Sequence, residues 1–122
     1  MLLLPLLLAA AAVQPTVTPA APAPTEAVVV RFKADKARDG TYRAEAKLTD
    51  CATRESRSVK APAKGRTVRL RIRPPQSGWC AGTYKATVWF KPTQRCRPEI
   101  NCGAVAERAV GSARFTVESA GP

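Results

Sequence analysis

Apolar and polar residues alternate at every second position along much of the chain between residues 28 and 118. Such alternation predicts half-buried β-strands, because a strand turns successive side chains to opposite faces. Segments rich in proline and glycine, such as 61–65 and 74–78, separate the alternating runs and predict turns. The predicted strands lie at 28–33, 42–48, 53–59, 68–73, 84–91 and 113–118, and the third of these has the weakest pattern.

In each run, one set of side chains is largely apolar, and the other set contains most of the charged residues. The run at 68–73 shows this best: Val68, Arg69, Leu70, Arg71, Ile72 and Arg73. We expect the apolar set to pack in a core and the basic set to face solvent. Six or seven short strands at a spacing of roughly ten residues, without a helical pattern, predict an all-β fold, an antiparallel β-sandwich.

The beginning of the chain has a different composition. Residues 1–12 are uncharged and mostly Leu and Ala, which is typical of the apolar part of a signal peptide and short of the ~20 residues that span a bilayer. We predict cleavage after Ala12, with Ala23 as an alternative site, although no Lys or Arg precedes the apolar run. Whether the leader is removed or retained as an anchor stays open.

Residues 13–26 consist mainly of Pro, Ala, Thr and Val, which predicts an extended spacer. One folded domain is then expected at 27–119. Export places this domain outside the cytoplasm, either secreted or in the periplasm or cell wall, without an integral membrane span after signal cleavage.

Four cysteines in a small exported domain predict disulfides that compensate for a limited core. Four cysteines allow three pairings, of which we favour Cys51 with Cys80 and Cys96 with Cys102. The first pair joins distant segments, and the second closes a ring of a few residues. The chain has no histidine and no Cys-x-x-Cys pair, so no metal site is predicted.

The net charge is +11, and all 20 Lys and Arg residues lie after the predicted spacer. Such a charge favours anionic partners such as cell-wall polymers, acidic polysaccharides or lipid headgroups, although it is also explained by solubility alone. Export makes nucleic acid an incidental partner. The arginines of the run at 68–73 project from one side, about 7 Å apart. The candidate residues for binding an anionic partner are Arg69, Arg71, Arg73, Lys85 and Trp89, provided that their strands share a face.

A second candidate surface is the loop before the last strand. Its predicted recognition residues lie in or directly before the ring closed by Cys96 and Cys102: Arg95, Arg97, Glu99 and Ile100. Loops at the ends of a sandwich commonly carry recognition, and Arg97 suits a trypsin-like pocket, whereas Pro98 opposes ordinary substrate geometry. The ring could equally serve only to shorten the connection.

The chain lacks the residues that most catalytic sites use. Without histidine, Ser-His-Asp and Cys-His catalysis are excluded, and no Gly-x-Ser-x-Gly turn or phosphate-binding glycine loop occurs. We therefore predict that the protein is not an enzyme and binds no cofactor. The expected form is a monomer.

The segment Gly-Trp-Cys-Ala-Gly-Thr-Tyr-Lys-Ala-Thr-Val-Trp-Phe at 78–90 resembles the penultimate strand of exported bacterial immunoglobulin-like domains. The final Ala-Arg-Phe-Thr-Val strand extends this resemblance to 118. It implies an immunoglobulin-like β-sandwich in which the hydroxyl of Tyr84 bonds back to the preceding corner. The antibody inter-sheet disulfide is not implied, because no cysteine lies two residues after Tyr84.

Members of this group are mostly binding, adhesive or spacer modules. The resemblance and the charge together predict a non-catalytic secreted or cell-envelope module that engages an anionic polymer or a protein surface through a basic sheet face. The alternative is a secreted protease or hydrolase inhibitor that uses the loop closed by Cys96 and Cys102.

Overall fold

The computed structural model of the chain describes residues 13–34, 40–56, 59–60, 66–93 and 106–119. These ranges contain strands and no helix, which confirms the all-β prediction and leaves no helix there that could cross a membrane. The strands are β1 (Thr16–Thr18), β2 (Val28–Lys33), β3 (Gly40–Lys47), β4 (Arg54–Glu55), β5 (Val59–Lys60), β6 (Thr67–Ile72), β7 (Gly82–Pro92) and β8 (Arg108–Val117).

The strands form two antiparallel sheets. The three-stranded sheet has the order β1-β2-β6, and the five-stranded sheet has the order β4-β3-β7-β8, with β5 also paired to β3. β4 and β5 occupy the region where the sequence predicts only one weak strand. All the long strands coincide with alternating runs, although β8 begins five residues earlier than predicted.

Both sheets contribute to one core. The buried side chains are Val28, Val30 and Phe32 of β2; Tyr42, Ala44 and Ala46 of β3; Val68, Leu70 and Ile72 of β6; Tyr84, Ala86, Val88 and Phe90 of β7; and Val110, Phe115 and Val117 of β8. Phe32 and Tyr42 meet between the sheets with ring centroids 4.8 Å apart. Burial of these side chains is the main stabilising contribution, about 1.5–3 kcal/mol for each large one.

The segment predicted as a spacer packs against both sheets instead. Val13 is buried in the core, and its backbone N–H donates to the carbonyl oxygen of Val110 at 2.9 Å. β1 then pairs with β2, and further on the N–H of Thr116 donates to the carbonyl oxygen of Ala20 at 2.9 Å. Residues 13–20 therefore follow β2 on one side and β8 on the other.

A bulge in β8 receives the start of this segment. Val88 pairs with Gly111 whereas Trp89 pairs with Ala109, so Val110 is the extra residue. At Gly111 a Cβ atom would lie 2.6 Å from the carbonyl oxygen of Val13, which leaves no room for a side chain. The bulge and the glycine thus form the contact surface for the N-terminal segment.

Trp79 holds the other end of the segment. Its indole Nε1–H donates to the carbonyl oxygen of Glu26 at 2.6 Å, and its backbone N–H donates to that of Pro24 at 2.7 Å. The preceding Gly78 has a φ of +90°, a conformation that residues with side chains rarely adopt. The indole is buried at the edge of the core, so this loop attaches residues 24–26 to the domain.

The predicted bond between Cys51 and Cys80 is confirmed, with Cα atoms 6.5 Å apart. It joins the turn after β3 to the residues before β7. β3 and β7 are neighbouring strands of the five-stranded sheet. The N–H of Cys80 donates to the hydroxyl of Tyr84 at 3.0 Å. Cys96 and Cys102 lie outside the described residues.

Candidate functional site

Exposed basic side chains cover the outer surface of the three-stranded sheet. We call this surface the outer basic face and define it by Arg31, Lys33, Arg69, Arg71 and Arg73, all of which are exposed. β2 and β6 are paired so that Arg31 lies directly opposite Arg69 and Val29 lies opposite Arg71. Four of the five cations therefore lie on two paired strands, and Arg73 directly follows β6.

No carboxylate neutralises this face within the described part of the chain. β1, β2 and β6 contain no Asp or Glu, and all the ion pairs between described residues involve Arg43, which lies on the other sheet. Two arginines directly opposite each other repel and contribute nothing to sheet pairing. The facing arginines therefore do not stabilise the pairing of β2 with β6.

The structure separates Lys85 and Trp89 from the three predicted arginines. Both residues lie on β7 of the five-stranded sheet, so the condition that they share a face with β6 is not met. The physical reason is that β7 pairs with β3 and β8, and alternation within a strand does not specify its partner.

Trp89 is half-buried rather than displayed. The guanidinium carbon of Arg43 lies 5.6 Å from the centroid of the Trp89 ring, so an arginine covers it. Its indole N–H is buried and has no hydrogen-bond acceptor among the described residues. Trp89 therefore belongs to the packing of this sheet and not to the outer basic face.

Arg43 is the centre of a network that the sequence did not predict. Its Nε and Nη2 atoms donate to the two carboxylate oxygens of Glu107 at 3.1 and 2.9 Å, and Nη1 donates to Glu55 at 3.1 Å. Nη1 also lies 3.8 Å from a carboxylate oxygen of Glu45. We call Arg43 and these three glutamates the Arg43 cluster.

The cluster shifts the protonation of its members. The hydrogen bond between the two side chains raises the pKa of Arg43 and lowers the pKa of Glu107, and partial burial opposes both shifts. The positively charged guanidinium of Arg43 lies among the three carboxylates, in the position that a metal ion would occupy in a carboxylate site. No group of three His, Cys, Asp or Glu side chains able to hold a metal ion occurs in the described ranges.

The lowered pKa of Glu107 predicts a pH dependence of stability. A carboxyl whose pKa is lower in the folded state stabilises the protein above its unfolded pKa, and this contribution is lost as the pH falls through the folded pKa. We expect Glu107→Gln to remove that acid-range component, about 1 kcal/mol or less because the pair is partly exposed. Denaturant unfolding of both proteins at neutral and acid pH measures it.

Glu118→Gln is the matched control, because Glu118 is exposed and forms no ion pair with a described residue. It should keep the pH dependence of the unmodified protein. If Glu107→Gln and Glu118→Gln give the same curve, the hydrogen bond to Arg43 does not contribute to stability in solution.

The residues predicted for the recognition loop lie outside the described residues: Arg95, Arg97, Glu99 and Ile100. Comparison with known protein families, curated proteins and solved structures finds no match for this chain. The surface that the described residues define is the outer basic face, whose chemistry suits a partner with several negative charges.

Proposed function

We propose that the protein is a non-catalytic binding module of the cell envelope or extracellular space, and that it holds an anionic polymer on the outer basic face. The observation that carries this proposal is the direct opposition of Arg31 and Arg69 on a face to which strands β1, β2 and β6 contribute no carboxylate. Arginine binds phosphate and carboxylate groups with two parallel hydrogen bonds, so each exposed guanidinium is a ready site for one such group.

The shape of the face favours a polymer over a small anion. The cations lie on an open sheet surface, at intervals of about 7 Å along β6 and about 5 Å between paired strands. A single small anion would reach only one or two of them and stay hydrated. A chain with regularly repeated charges contacts several at once, and the weak individual contacts add up.

The proposed location and fold class are consistent with this role. A disulfide is typical of proteins outside the cytoplasm, and Cys51 and Cys80 form one here. We assign the sandwich to the immunoglobulin-like class because β1, β2 and β6 correspond in order to strands A, B and E, and β3, β7 and β8 correspond to C, F and G. The Tyr84 hydroxyl bond supports the same assignment.

Charge reversal on β6 tests the function. We expect Arg69→Glu with Arg71→Glu to weaken binding to purified cell-wall sacculi by about tenfold or more at low salt, because two attractive contacts become repulsive. Binding of the unmodified protein should be saturable and should fall as salt is added. Co-sedimentation with sacculi, titrated at several salt concentrations, gives both quantities.

The matched control is Lys91→Glu with Arg108→Glu, which changes the net charge equally at exposed positions of β7 and β8. This variant should bind within about threefold of the unmodified protein. Equal losses in the two variants would show that only total charge matters. Absence of binding at low salt would overturn the proposed function.

A further inference from the structure

Three cations lie side by side across the five-stranded sheet. Lys47 of β3 is paired with Lys85 of β7, and Lys85 is paired with Arg114 of β8. All three side chains are exposed. Adjacent strands are about 4.8 Å apart, so the row spans about 10 Å and runs across the strands. We call these three residues the cationic row.

Hydroxyl groups flank the cationic row on both sides. Two positions further along β7 and β8, on the same side of the sheet, Thr83 lies opposite Thr116 with their hydroxyl oxygens 3.1 Å apart. On the other side, Thr87 lies opposite Ser112. Hydroxyls donate hydrogen bonds to phosphate and carboxylate oxygens, so the cations and hydroxyls together form a surface suited to an anionic group.

The acidic residues of this sheet leave the cationic row unneutralised. Glu45 is two residues from Lys47 on the same side of β3, yet its carboxylate lies 3.8 Å from Arg43. Glu55 and Glu107 also pair with Arg43, and none of the three row cations forms an ion pair with a described residue. Glu45, Glu55 and Glu107 therefore pair with Arg43 and not with the cations of the cationic row.

The cationic row and the outer basic face point in opposite directions. They lie on the outer surfaces of the two sheets, and the shared core separates them. Packed sheets are about 10 Å apart, so one straight polymer chain cannot lie on both surfaces. Two chains can do so at the same time.

We propose that the cationic row binds a second segment of the same kind of anionic polymer, so that one protein molecule bridges two chains. This inference rests on the proposed function, because the first chain lies on the outer basic face. Charge complementarity selects the occupant: three adjacent cations between hydroxyl pairs match repeated phosphate or carboxylate groups. The protein then acts as a cross-linker of the polymer.

A two-chain capture assay tests bridging with a defined probe. Beads sparsely coated with long-chain inorganic polyphosphate first bind the protein and are washed, and fluorescent polyphosphate is then added. The unmodified protein should retain the fluorescent chain. Polygalacturonate on the beads and in solution replaces the phosphate polymer by a carboxylate polymer in a parallel arm, which identifies the anion that is preferred.

The variant that isolates the cationic row is Lys85→Glu with Arg114→Glu. It should bind the beads within about threefold of the unmodified protein, through the outer basic face, and should capture at least about tenfold less of the fluorescent chain. Lys85→Gln with Arg114→Gln removes the charges without reversing them and should act in the same direction. Lys91→Glu with Arg108→Glu should leave capture unchanged.

The outcomes separate the two proposals. If the unmodified protein does not bind the beads with either polymer, the proposed function fails. If it binds but captures no second chain, or if the row variants capture as much as the unmodified protein, bridging by the cationic row is overturned while the outer basic face stands. Loss of capture in the row variants alone supports bridging.

Discussion

Replacement of Trp79 by alanine is expected to lower the free energy of unfolding by about 3–5 kcal/mol, the range found for large buried aromatic residues. Trp79 is only 4% exposed, and its ring lies 5.0 Å from that of Tyr84 and 5.3 Å from that of Phe115. The substitution leaves a cavity beside both rings and removes the hydrogen bond to Glu26. Guanidinium unfolding followed by circular dichroism measures the loss.

Two conservative variants separate packing from hydrogen bonding. Trp79→Phe keeps an aromatic ring but removes the N–H, whereas Tyr84→Phe removes only the hydroxyl that accepts from Cys80. Each lost hydrogen bond should account for about 0.5–1.5 kcal/mol, so both variants should be more stable than Trp79→Ala. A loss below about 1 kcal/mol for Trp79→Ala would contradict its role as an anchor of residues 24–26.

The local effect of Trp79→Ala should be greatest in the N-terminal segment, since the indole and backbone of Trp79 bind the carbonyl groups of Glu26 and Pro24.

The sequence does not predict that the N-terminal segment packs on the domain. Val13, Pro15 and Val17 do alternate with exposed polar residues, but the run is short and contains proline. The groups that hold it belong to β2, to the loop of Trp79 and to β8, and the last two are distant in sequence.

The long strands were predictable because side-chain direction alternates strictly within a strand. β6 shows this most clearly: its three apolar residues are buried and its two arginines are exposed, as the pattern requires. The alternation pattern predicts a strand only where the strand is long enough to show several alternating residues. β4 and β5 contain two residues each, too few for alternation to define their ends.

The surfaces depend on strand pairing, which alternation does not encode. Arg69, Arg71 and Arg73 were predictable as neighbours because they share one chain segment, whereas the position of Arg31 opposite Arg69 required the register of β2 and β6. Pairing also places Lys85 in the cationic row instead of the outer basic face. The Arg43 cluster is a still longer-range feature, since Arg43 and Glu107 are 64 residues apart.

Removal of the bond between Cys51 and Cys80 by two serine substitutions is expected to lower the free energy of unfolding by about 3–4 kcal/mol, given the sequence separation of 29 residues. The bond restricts the unfolded chain, and its loss increases the entropy of that state. A domain of this size is stable by only about 5–15 kcal/mol, so the variant should unfold at much lower denaturant. Guanidinium unfolding under non-reducing conditions measures the shift.

The same variant separates stability from polymer binding. The disulfide lies beside β3 and β7, whereas the outer basic face lies on β2 and β6, so the folded variant should bind sacculi within about threefold of the unmodified protein. Alanine in place of both cysteines controls for the polarity of serine and should give a similar stability loss. A loss below about 1 kcal/mol in both variants would contradict a stabilising role of this bond, because a native disulfide in a small exported domain typically contributes at least twice as much.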